Sequence, residues 1–363
     1  MNLGLLLPLG DSLKRFRLHG QDARFVDYYL QKYCQNFDQV FLFSYEIERY
    51  EGLPANCELI CPKHHWHRFF YGLLLPIIQS KKYNQCQMFR CFHPSAAIPA
   101  IVGKIIYGKK FIFNYNYDYQ ALAVLEGKKY LVPFLSLSER LAFLFCDGVF
   151  VADEKMAAHA AKFVSSAKIT LIRNGADTKA FRPLVQKKKE KRQLVLSVGR
   201  LDPVKNYQQL IEAVSRLKSK PRMLIVGRGN LKQELMETAR KMRVDLKIID
   251  VVPHAQLPLI YNQASVYVQP SLSEAPVKTL LEAMSCGVPC VGTDVAGIQD
   301  VIADGMDGLL AKLDPEDIKD KIETILENED LAKRLGVNGR NTVIEKYNLE
   351  KFLDLENKIL LCI

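Results

Sequence analysis

The fold is decided by SVYVQPSLSEAPVKTLLEAMSCGVPCVGTD, residues 265–294. A short β-branched and aromatic run is followed by apolar residues at three- and four-residue spacing, and a second short apolar run closes the segment. This order is typical of a strand, an amphipathic helix and another strand. Pro276 suits the first turn of the helix, and Gly287 suits the position just past its end. The segment therefore predicts one strand–helix–strand unit of a parallel sheet.

The same alternation extends upstream of this segment. Further strands are predicted at 193–199 (QLVLSVG), 222–227 (RMLIVG) and 246–252 (LKIIDVV), with helices at 206–218, 231–242 and 255–263. Alternating strands and amphipathic helices indicate a parallel sheet covered on both faces, so the second half is predicted to be doubly wound α/β. After Asp314 only helical patterns remain, and no strand is expected there.

The first half of the chain repeats this rhythm less regularly. Its predicted strands lie at 3–9, 39–45, 57–62, 87–92, 109–116, 148–153 and 169–174. A second α/β domain is therefore expected, joined to the other by the exposed, charged stretch RPLVQKKKEKRQ. The predicted organisation is an N-terminal domain over 1–183, a linker over 184–192, a C-terminal domain over 193–345 and a last helix over 346–363.

Size and cysteine content narrow the class of protein. The chain has 363 residues, enough for two domains with a core each. No apolar run approaches the roughly 18 residues that a membrane-spanning helix needs, and no signal peptide is expected. The nine cysteines include no C-x2-C pair. They indicate buried thiols in a reducing, cytoplasmic compartment.

The charge is unevenly distributed along the chain. The formal net charge is +10, and the basic excess lies in residues 1–183 and in the run 186–192. One interpretation is an anionic partner for the first half, such as a membrane surface or an acidic glycan, and the other is an ordinary solvated surface. No nucleic-acid-binding motif accompanies the charge, so a nucleic acid is not expected as a partner.

Two glutamates in the fold-determining segment are candidate ligand-binding residues. Glu274 falls in the loop before the predicted helix, and Glu282 falls about two turns into it. Carboxylates accept hydrogen bonds from vicinal hydroxyls, so the pair could hold a sugar and a ribose beside the free amides of the helix N-terminus. The alternative is that Glu274 caps the helix and Glu282 lies on the surface.

Two cations are predicted at the same edge of the sheet. Arg200 follows the strand 193–199, and Lys205 precedes the next helix. Ligands of open α/β sheets bind outside the carboxyl ends of the strands, where these cations would face Glu274. Arg200 and Lys205 could stabilise the charge that grows on a departing nucleoside diphosphate, without a metal.

The order and spacing of these segments resemble the retaining family-4 glycosyltransferases of the GT-B architecture. The resemblance rests on VGRLDPVKN (198–206), VGRGN (226–230), residues 257–302, DGLLA (307–311) and IRNGADTKAFRP (172–183). It implies two Rossmann-like, doubly wound parallel-sheet domains that face a central cleft, with the C-terminal helix crossing back to the first domain. It also implies a metal-independent enzyme without a cofactor, whose first domain receives the acceptor and whose second binds the donor.

The resemblance implies roles for individual residues. Arg200 and Lys205 would clamp the donor diphosphate, Glu274 would contact the donor sugar, and Glu282 would hold the ribose. The implied donor site comprises Gly10, Arg200, Lys205, Val252, Glu274, Ala275, Pro276, Val277, Lys278 and Glu282, in which Val252 contacts the base through its backbone and Gly10 admits a phosphate.

The sequence departs from the family pattern at four places, and the first is Leu9-Gly10-Asp11, which has one glycine where relatives often carry two. Glu274-Ala275-Pro276-Val277 replaces the common Glu-Gly-Phe-Gly, and Asp250 stands at a usual glycine. Where many relatives place a histidine after the strand 109–116, this chain has Asn114, Asn116 and Asp118. Asp118 could take the acceptor proton as a catalytic residue, or it could cap a turn.

The predicted function is transfer of a sugar from a UDP- or GDP-sugar to a glycan or lipid-linked acceptor, with retention, in polysaccharide, lipopolysaccharide or glycolipid biosynthesis. Alternatives are a GT-B sugar-nucleotide epimerase or hydrolase, and a catalytically silent glycan-binding scaffold. The presence of all four predicted site residues argues against the catalytically silent scaffold; they are Arg200, Lys205, Glu274 and Glu282.

Two further motifs have competing interpretations. KHHWHRFFYGLLLPIIQSKKY, residues 63–83, could rest peripherally on the cytoplasmic face of a membrane, or its apolar run could be the core face of a helix. Its three histidines lack other candidate ligands nearby, so no metal site is expected. Gly227 and Gly229 form a G-x-G pattern without the third glycine of a dinucleotide site, which favours a tight turn.

Overall fold

A computed structural model of the chain describes residues 1–18, 20–125, 127–184, 192–250, 252–274 and 277–363. It divides into two compact units. Unit 1 comprises Met1–Arg173 and Lys351–Ile363, and unit 2 comprises Asn174–Glu350. Most of the predicted linker, residues 185–191, lies outside the described residues.

Unit 1 is built on a seven-stranded parallel sheet, and each strand predicted in the first half is confirmed with shorter bounds. The order across the sheet is β3-β2-β1-β4-β5-β6-β7. The strands are β1 Asn2–Leu6, β2 Gln39–Phe43, β3 Cys57–Ile60, β4 Met88–Cys91, β5 Lys110–Tyr115, β6 Gly148–Val151 and β7 Ile169–Leu171.

Helices cover both faces of this sheet, which explains its uninterrupted apolar strands. In β2, Phe41 and Phe43 enter one core cluster whereas Val40 and Leu42 enter another. Successive side chains of a strand point to opposite faces, so a strand buried on both faces must be apolar throughout. The helices are α1 Leu13–Leu18, α2 Asp22–Arg24, which continues through a π-helical segment Phe25–Leu30 into α3 Gln31–Asn36, α4 Arg68–Ile78, α5 Ser80–Tyr83, α6 Ala97–Tyr107, α7 Tyr119–Leu125, α8 Val132–Phe145 and α9 Glu154–Ala160.

Unit 2 contains a six-stranded parallel sheet, in the order β10-β9-β8-β11-β12-β13. Its strands are β8 Leu194–Val198, β9 Arg222–Val226, β10 Leu246–Ile249, β11 Val266–Gln269, β12 Cys290–Thr293 and β13 Leu309–Ala311. Five were predicted. The edge strand β13 was not, because its three residues are too few to show a period.

The helices of unit 2 follow the predicted spacing. They are α10 Tyr207–Ser215, α11 Lys232–Lys241, α12 Leu257–Tyr261, α13 Lys278–Ser285, α14 Pro315–Glu327 and α15 Glu329–Lys346. No strand follows Asp314, as expected. None of the described helices combines the length and apolar composition that a membrane crossing requires.

The last helix, α16 Leu349–Cys362, returns the chain to unit 1 from Lys351 onward. Glu356 of this helix is buried and accepts a hydrogen bond from Arg90 Nε of β4 at 2.5 Å and another from the Tyr33 hydroxyl. Arg90 also donates to Asn114 Oδ1 at 2.6 Å. A buried charge needs such partners, so the ion pair specifies where the helix packs.

The boundaries of the two units differ from those expected at 183 and 346. Residues 174–183 belong to unit 2, because Ala176 and Phe181 are buried in its core. The Ser285 hydroxyl also donates to the carbonyl oxygen of Phe181 at 2.6 Å. The apolar side chains that precede the charged stretch therefore fold with the second sheet.

Candidate functional site

An ion pair between Lys205 and Glu274 forms the centre of the site in unit 2. Lys205 Nζ lies 2.6 Å from Glu274 Oε2, and both side chains are largely buried. Lys205 ends the 3-10 turn after β8, which Asp202 caps through the Lys205 amide, and Glu274 follows β11. Because β8 and β11 are neighbours in the sheet, their carboxyl ends bring the two residues together.

The orientation of Glu274 is fixed by two further donors. Gln269 Nε2 donates to Glu274 Oε2 at 2.9 Å, and Ser271 Oγ donates to it at 2.7 Å. Gln269 is itself held through Oε1 by the hydroxyls of Tyr267 and Thr279. Within the described part of the chain, no hydrogen bond reaches Glu274 Oε1. One oxygen is therefore anchored while the other can accept a hydrogen bond from a ligand.

Arg200 differs from Lys205 in its exposure. Its side chain is 73% exposed, with one guanidinium nitrogen 3.2 Å from Asp202 Oδ2. Gly199 precedes it, and a Cβ there would lie 2.9 Å from the Tyr207 hydroxyl and 3.2 Å from Lys205 Cε. Glycine therefore lets the lysine chain pass close to the backbone. Together, Arg200 and Lys205 offer one exposed and one largely buried cation.

Glu282 is buried, so the interpretation of this residue as a surface glutamate is wrong. Its side chain is 4% exposed, and Oε1 lies 3.0 Å from His254 Nε2. The Tyr261 hydroxyl donates to Oε2 at 3.1 Å. Burial, together with the nearby Glu282 carboxylate, raises the pKa of Tyr261 well above its usual range, so the phenol stays a donor. His254 was missed by sequence reasoning, although its place just before α12 could have indicated it.

The N-terminus of α13 lies between these glutamates in sequence. Its N-cap residue, Val277, makes no side-chain capping hydrogen bond, and Lys278 is the first helical residue. Glu274 bonds to side chains of neighbouring elements, and among the described residues it makes no capping bond to this helix, contrary to the capping alternative. Ala275 and Pro276, predicted to bind the donor through their backbone, lie outside the described residues.

The predicted base contact is only partly described. Val252 packs at the edge of the second core, whereas its neighbour Val251 lies outside the described residues. Asp250, which stands at a usual glycine, forms an ion pair with Lys232 at 2.6 Å. This charge is therefore neutralised within unit 2.

The glycines of the G-x-G motif bring two loops together. A Cβ on Gly227 would lie 1.8 Å from the Gly199 carbonyl oxygen, and one on Gly229 would lie 2.3 Å from the Leu201 carbonyl oxygen. The motif thus packs the loop after β9 against the loop that carries Arg200, in keeping with a tight turn near the site.

Asp118 belongs to unit 1 and caps the start of α7. Its Oδ1 accepts from the amides of Gln120 at 3.1 Å and Ala121 at 2.9 Å. This is the turn-capping arrangement that the sequence left open. A catalytic role for Asp118 stays a prediction.

A histidine that sequence reasoning missed lies at the end of β4. His93 Nδ1 accepts from the Ser95 amide at 3.0 Å, which leaves the proton on Nε2. Its ring also contacts that of Tyr119, with centroids 4.2 Å apart. Desolvation lowers the pKa of His93 to about 4, so the imidazole is neutral at pH 7. The His-Pro pair directly after a predicted strand could have drawn attention to it.

Unit 1 also contains an open cavity with a volume of about 620 Å³. It is lined from within three segments, 10–15, 45–47 and 62–68, which follow β1, β2 and β3. Gly10, predicted to admit a donor phosphate, lies here with φ +87° and faces the side chain of Arg68. The cavity thus brings the basic and aromatic residues 64–68 of one motif together with Gly10, Lys14 and Arg15, which lie elsewhere in the sequence.

No cluster of three or more metal-ligating side chains occurs among the residues that the structure describes. His64, His65 and His67 instead line the cavity of unit 1. All nine cysteines are free thiols.

Comparison with known proteins identifies the class of unit 2. Residues 180–342 match the model of the family described as glycosyl transferases group 1. The chain therefore carries a region of that family, and the predicted resemblance is confirmed there. The match contains Arg200, Lys205, Glu274 and Glu282, and it begins where Phe181 enters the core of unit 2.

One curated relative and two solved structures illustrate the similarity. The capsular polysaccharide biosynthesis glycosyltransferase CapM of Staphylococcus aureus is 27% identical over 246 residues, covering 62% of this chain and 64% of CapM. The chain spans about half the length of the first curated relatives it matches. Sucrose-phosphate synthase from Thermosynechococcus elongatus superposes with a TM-score of 0.80 at 19% identity, covering 99% of this chain and 98% of that one.

The second structural relative is HepE of Anabaena, solved in complex with UDP. Its TM-score is 0.78 at 14% identity, and the superposition covers both chains completely. HepE has also been solved with UDP-glucose. At these identities the likeness shows the fold, and it confirms the predicted GT-B class of two parallel-sheet α/β domains.

Proposed function

We propose that the chain transfers a sugar from a nucleoside-diphosphate sugar to an acceptor hydroxyl, with UDP-sugars the first donors to test. The observation that carries this proposal is the anchored Lys205–Glu274 pair beside Arg200. It combines two cations with a carboxylate oxygen free to accept hydrogen bonds, in a region matching glycosyl transferases group 1. HepE, which shares the fold, binds UDP and UDP-glucose.

The cations would act on the leaving diphosphate. Lys205 has three N–H donors and uses one for Glu274, which leaves two for phosphate oxygens. Arg200 can turn its planar fork toward the same oxygens as negative charge develops. Charge stabilisation by these two side chains supports a reaction that needs no metal.

Glu274 and Glu282 would recognise the sugar and the ribose. Glu274 Oε1 would accept from a donor-sugar hydroxyl while Oε2 stays bound to Lys205. Glu282 is held in place by His254 and Tyr261, so its orientation is set before a ribose arrives. Preorganised acceptors of this kind reduce the ordering cost of binding.

The reaction is proposed to retain the anomeric configuration and to serve polysaccharide or glycolipid assembly. CapM is named for capsular polysaccharide biosynthesis, which supports a glycan or lipid-linked acceptor. A cytoplasmic setting is supported by the nine free thiols, because a reducing compartment keeps cysteines unpaired.

Turnover of UDP-glucose, UDP-galactose and UDP-N-acetylglucosamine with and without acceptor glycans tests this proposal. We expect acceptor-dependent release of UDP and an axial product linkage by NMR. Equal release without acceptor would instead support the hydrolase or epimerase alternative, and donor binding without turnover would support the silent scaffold. Chelator should leave the rate unchanged, whereas a loss restored by magnesium would contradict metal independence.

We also propose that α4 rests on an anionic membrane surface. Tyr71 and Leu75 of α4 are buried, whereas Phe70, Leu73 and Ile77 are 57%, 40% and 51% exposed. One face of α4 therefore packs in the core, as one interpretation of the apolar run expected. The opposite face is exposed, and we propose the membrane contact for it. An exposed apolar helix face next to basic residues suits the boundary between the headgroups and the acyl chains of a membrane.

Vesicle sedimentation tests the membrane contact. We expect binding to phosphatidylcholine vesicles that contain phosphatidylglycerol, and loss of that binding when Phe70, Leu73 and Ile77 are all changed to Ser. Val337→Ser in α15 is the matched control, because Val337 is also exposed. Binding by the triple variant equal to that of the parent would overturn the proposal.

A further inference from the structure

The cavity of unit 1 has the position and size of a ligand site. The segments that line it follow three neighbouring parallel strands, β1, β2 and β3, at their carboxyl ends. Its volume of about 620 Å³ lies within the roughly 300–1,000 Å³ of sites that hold small molecules. Of the residues predicted to bind the donor, Gly10 lines this cavity, whereas Arg200, Lys205, Glu274 and Glu282 belong to unit 2 and do not.

The lining of the cavity carries an excess of positive charge. Lys14, Arg15 and Arg68 stand against a single lining carboxylate, Glu46. Arg15 Nε lies 2.6 Å from Glu46 Oε1, and this hydrogen bond lowers the pKa of Glu46 so that the pair remains ionised. The charge of Lys14 also helps to lower the Glu46 pKa, but in the part of the chain that the structure describes no carboxylate lies within salt-bridge distance of the Lys14 or Arg68 side chain. Three cations against one carboxylate leave the lining with two positive charges in excess for an anionic ligand.

Arg68 is positioned at the rim by its neighbours. A Cβ on Gly10 would lie 2.5 Å from Arg68 Cδ, so glycine leaves the space that the arginine side chain occupies. Arg68 also begins α4, whose N-cap residue His67 makes no side-chain capping hydrogen bond. The positive N-terminal end of α4 and the Arg68 guanidinium thus both favour an anion at this side of the cavity.

The cavity includes an aromatic side chain beside these cations. Trp66 is 44% exposed and is the one tryptophan of the sequence. Apolar or aromatic surface beside a few polar groups is typical of sites that orient a small molecule. An anionic group attached to a sugar or another small ring would fit both parts of the lining.

We infer that this cavity binds a phosphate or diphosphate group of the acceptor, an assignment that rests on the proposed glycosyl transfer. A diphosphate carries at least two negative charges, which match the two unpaired cations. Its oxygens can accept from the planar fork of Arg68 and from the point charge of Lys14. The acceptor would thus be held in unit 1 through a group other than the hydroxyl that reacts.

Intrinsic fluorescence of the full chain tests the assignment, because all tryptophan emission comes from Trp66. We expect inorganic pyrophosphate to change the emission saturably, with an affinity that falls as salt is raised. In Arg68→Gln and Lys14→Gln the Kd should rise about tenfold each, the size expected for a lost charge-assisted hydrogen bond.

Two controls separate this site from the donor site. Lys155→Gln removes an exposed lysine of α9 outside the cavity and should leave the Kd unchanged. Arg200→Ala should weaken UDP binding while the response of Trp66 to pyrophosphate persists. Failure of the UDP titration alone would therefore count against the proposed function, and failure of the Trp66 response alone would count against the cavity.

The source of the phosphate is distinguished by two further titrations. A response to glucose 1-phosphate supports a soluble acceptor, and a response to phosphatidic acid in phosphatidylcholine vesicles that Arg68→Gln weakens supports a lipid-linked one. No saturable change with pyrophosphate, or the same Kd in Arg68→Gln as in the parent, would overturn the assignment.

Discussion

The site of unit 2 and the cavity of unit 1 differ in whether their cations are paired with carboxylates. In unit 2, Lys205 and Glu274 neutralise each other, and the carboxylate is fixed by three donors. In unit 1, Lys14 and Arg68 face an open cavity without a carboxylate partner in the described residues. The first arrangement is organised before a ligand binds, whereas the second depends on the ligand for its counter-charge. Substitutions in unit 2 should accordingly affect donor binding and turnover, whereas those in the cavity of unit 1 should affect the binding of its own anionic ligand.

The largest effect is expected from Glu274→Gln. The amide cannot balance Lys205 or accept equally from a sugar hydroxyl, so kcat/KM should fall by about 100-fold or more with the fold retained. Steady-state kinetics and circular dichroism measure the two quantities. Glu327→Gln, at an exposed position at the end of α14, is the matched control and should be neutral. Unchanged kinetics in Glu274→Gln would remove this residue from the site.

Lys205→Ala and Arg200→Ala should differ in how much each lowers the free energy of unfolding. Loss of Lys205 leaves the largely buried Glu274 carboxylate without its cation and should lower the free energy of unfolding by about 1–3 kcal/mol. Arg200 is exposed, so its removal should change that energy by less than about 0.5 kcal/mol. Denaturant unfolding measures both, and equal losses would contradict the contrast between a buried and an exposed cation.

His93 predicts an acid sensitivity of unit 1. Its pKa of about 4 in the folded chain lies below the usual 6.5, so the unfolded chain binds the proton more readily. Burial of the neutral imidazole contributes its full stability above pH 6.5, and about 3 kcal/mol of this is lost as the pH falls toward 4. Unfolding measured at pH 7 and pH 4.5 should show a smaller loss in His93→Gln than in the parent, and identical losses would be contrary to this account.

Tyr261→Phe should have the smallest effect. It removes the hydroxyl that donates to Glu282 Oε2, while His254 still contacts Oε1. The expected loss is about 1 kcal/mol of stability together with a several-fold weaker UDP affinity, since the ribose-binding carboxylate is less firmly oriented. Thermal unfolding with and without UDP measures both. A loss of stability with unchanged affinity would separate Glu282 from the ribose.

The sequence predicted the strands of unit 1, five strands of unit 2 and the helices of unit 2, because apolar runs and apolar periods mark them. It also predicted that Arg200, Lys205 and Glu274 lie at the same edge of a sheet. It did not predict β13, which has too few residues for a period, or the boundary near 174, which depends on where Phe181 packs. Neither could periodicity show that Glu282 is buried, since that depends on His254 and Tyr261 from a different segment.

The cavity of unit 1 could not be predicted from the sequence either, because residues from distant segments line it. Gly10, Glu46 and Arg68 are far apart along the chain, and only the parallel order of β1, β2 and β3 gathers the loops that carry them. The basic character of the first half indicated an anionic partner, but not a place for it. Within the motif 63–83, the histidines and Trp66 were interpreted as part of a membrane-contacting segment or of a core helix, and not as part of a cavity.

Calorimetric titration of the full chain with UDP, GDP and ADP tests the central claim, which is that unit 2 holds a nucleoside-diphosphate donor through Arg200, Lys205 and Glu274. We expect UDP to bind and Arg200→Ala to raise its Kd about tenfold or more, whereas Arg68→Gln should leave it unchanged. Binding of none of the three nucleotides, or UDP binding that is the same in Arg200→Ala as in the parent, would contradict it.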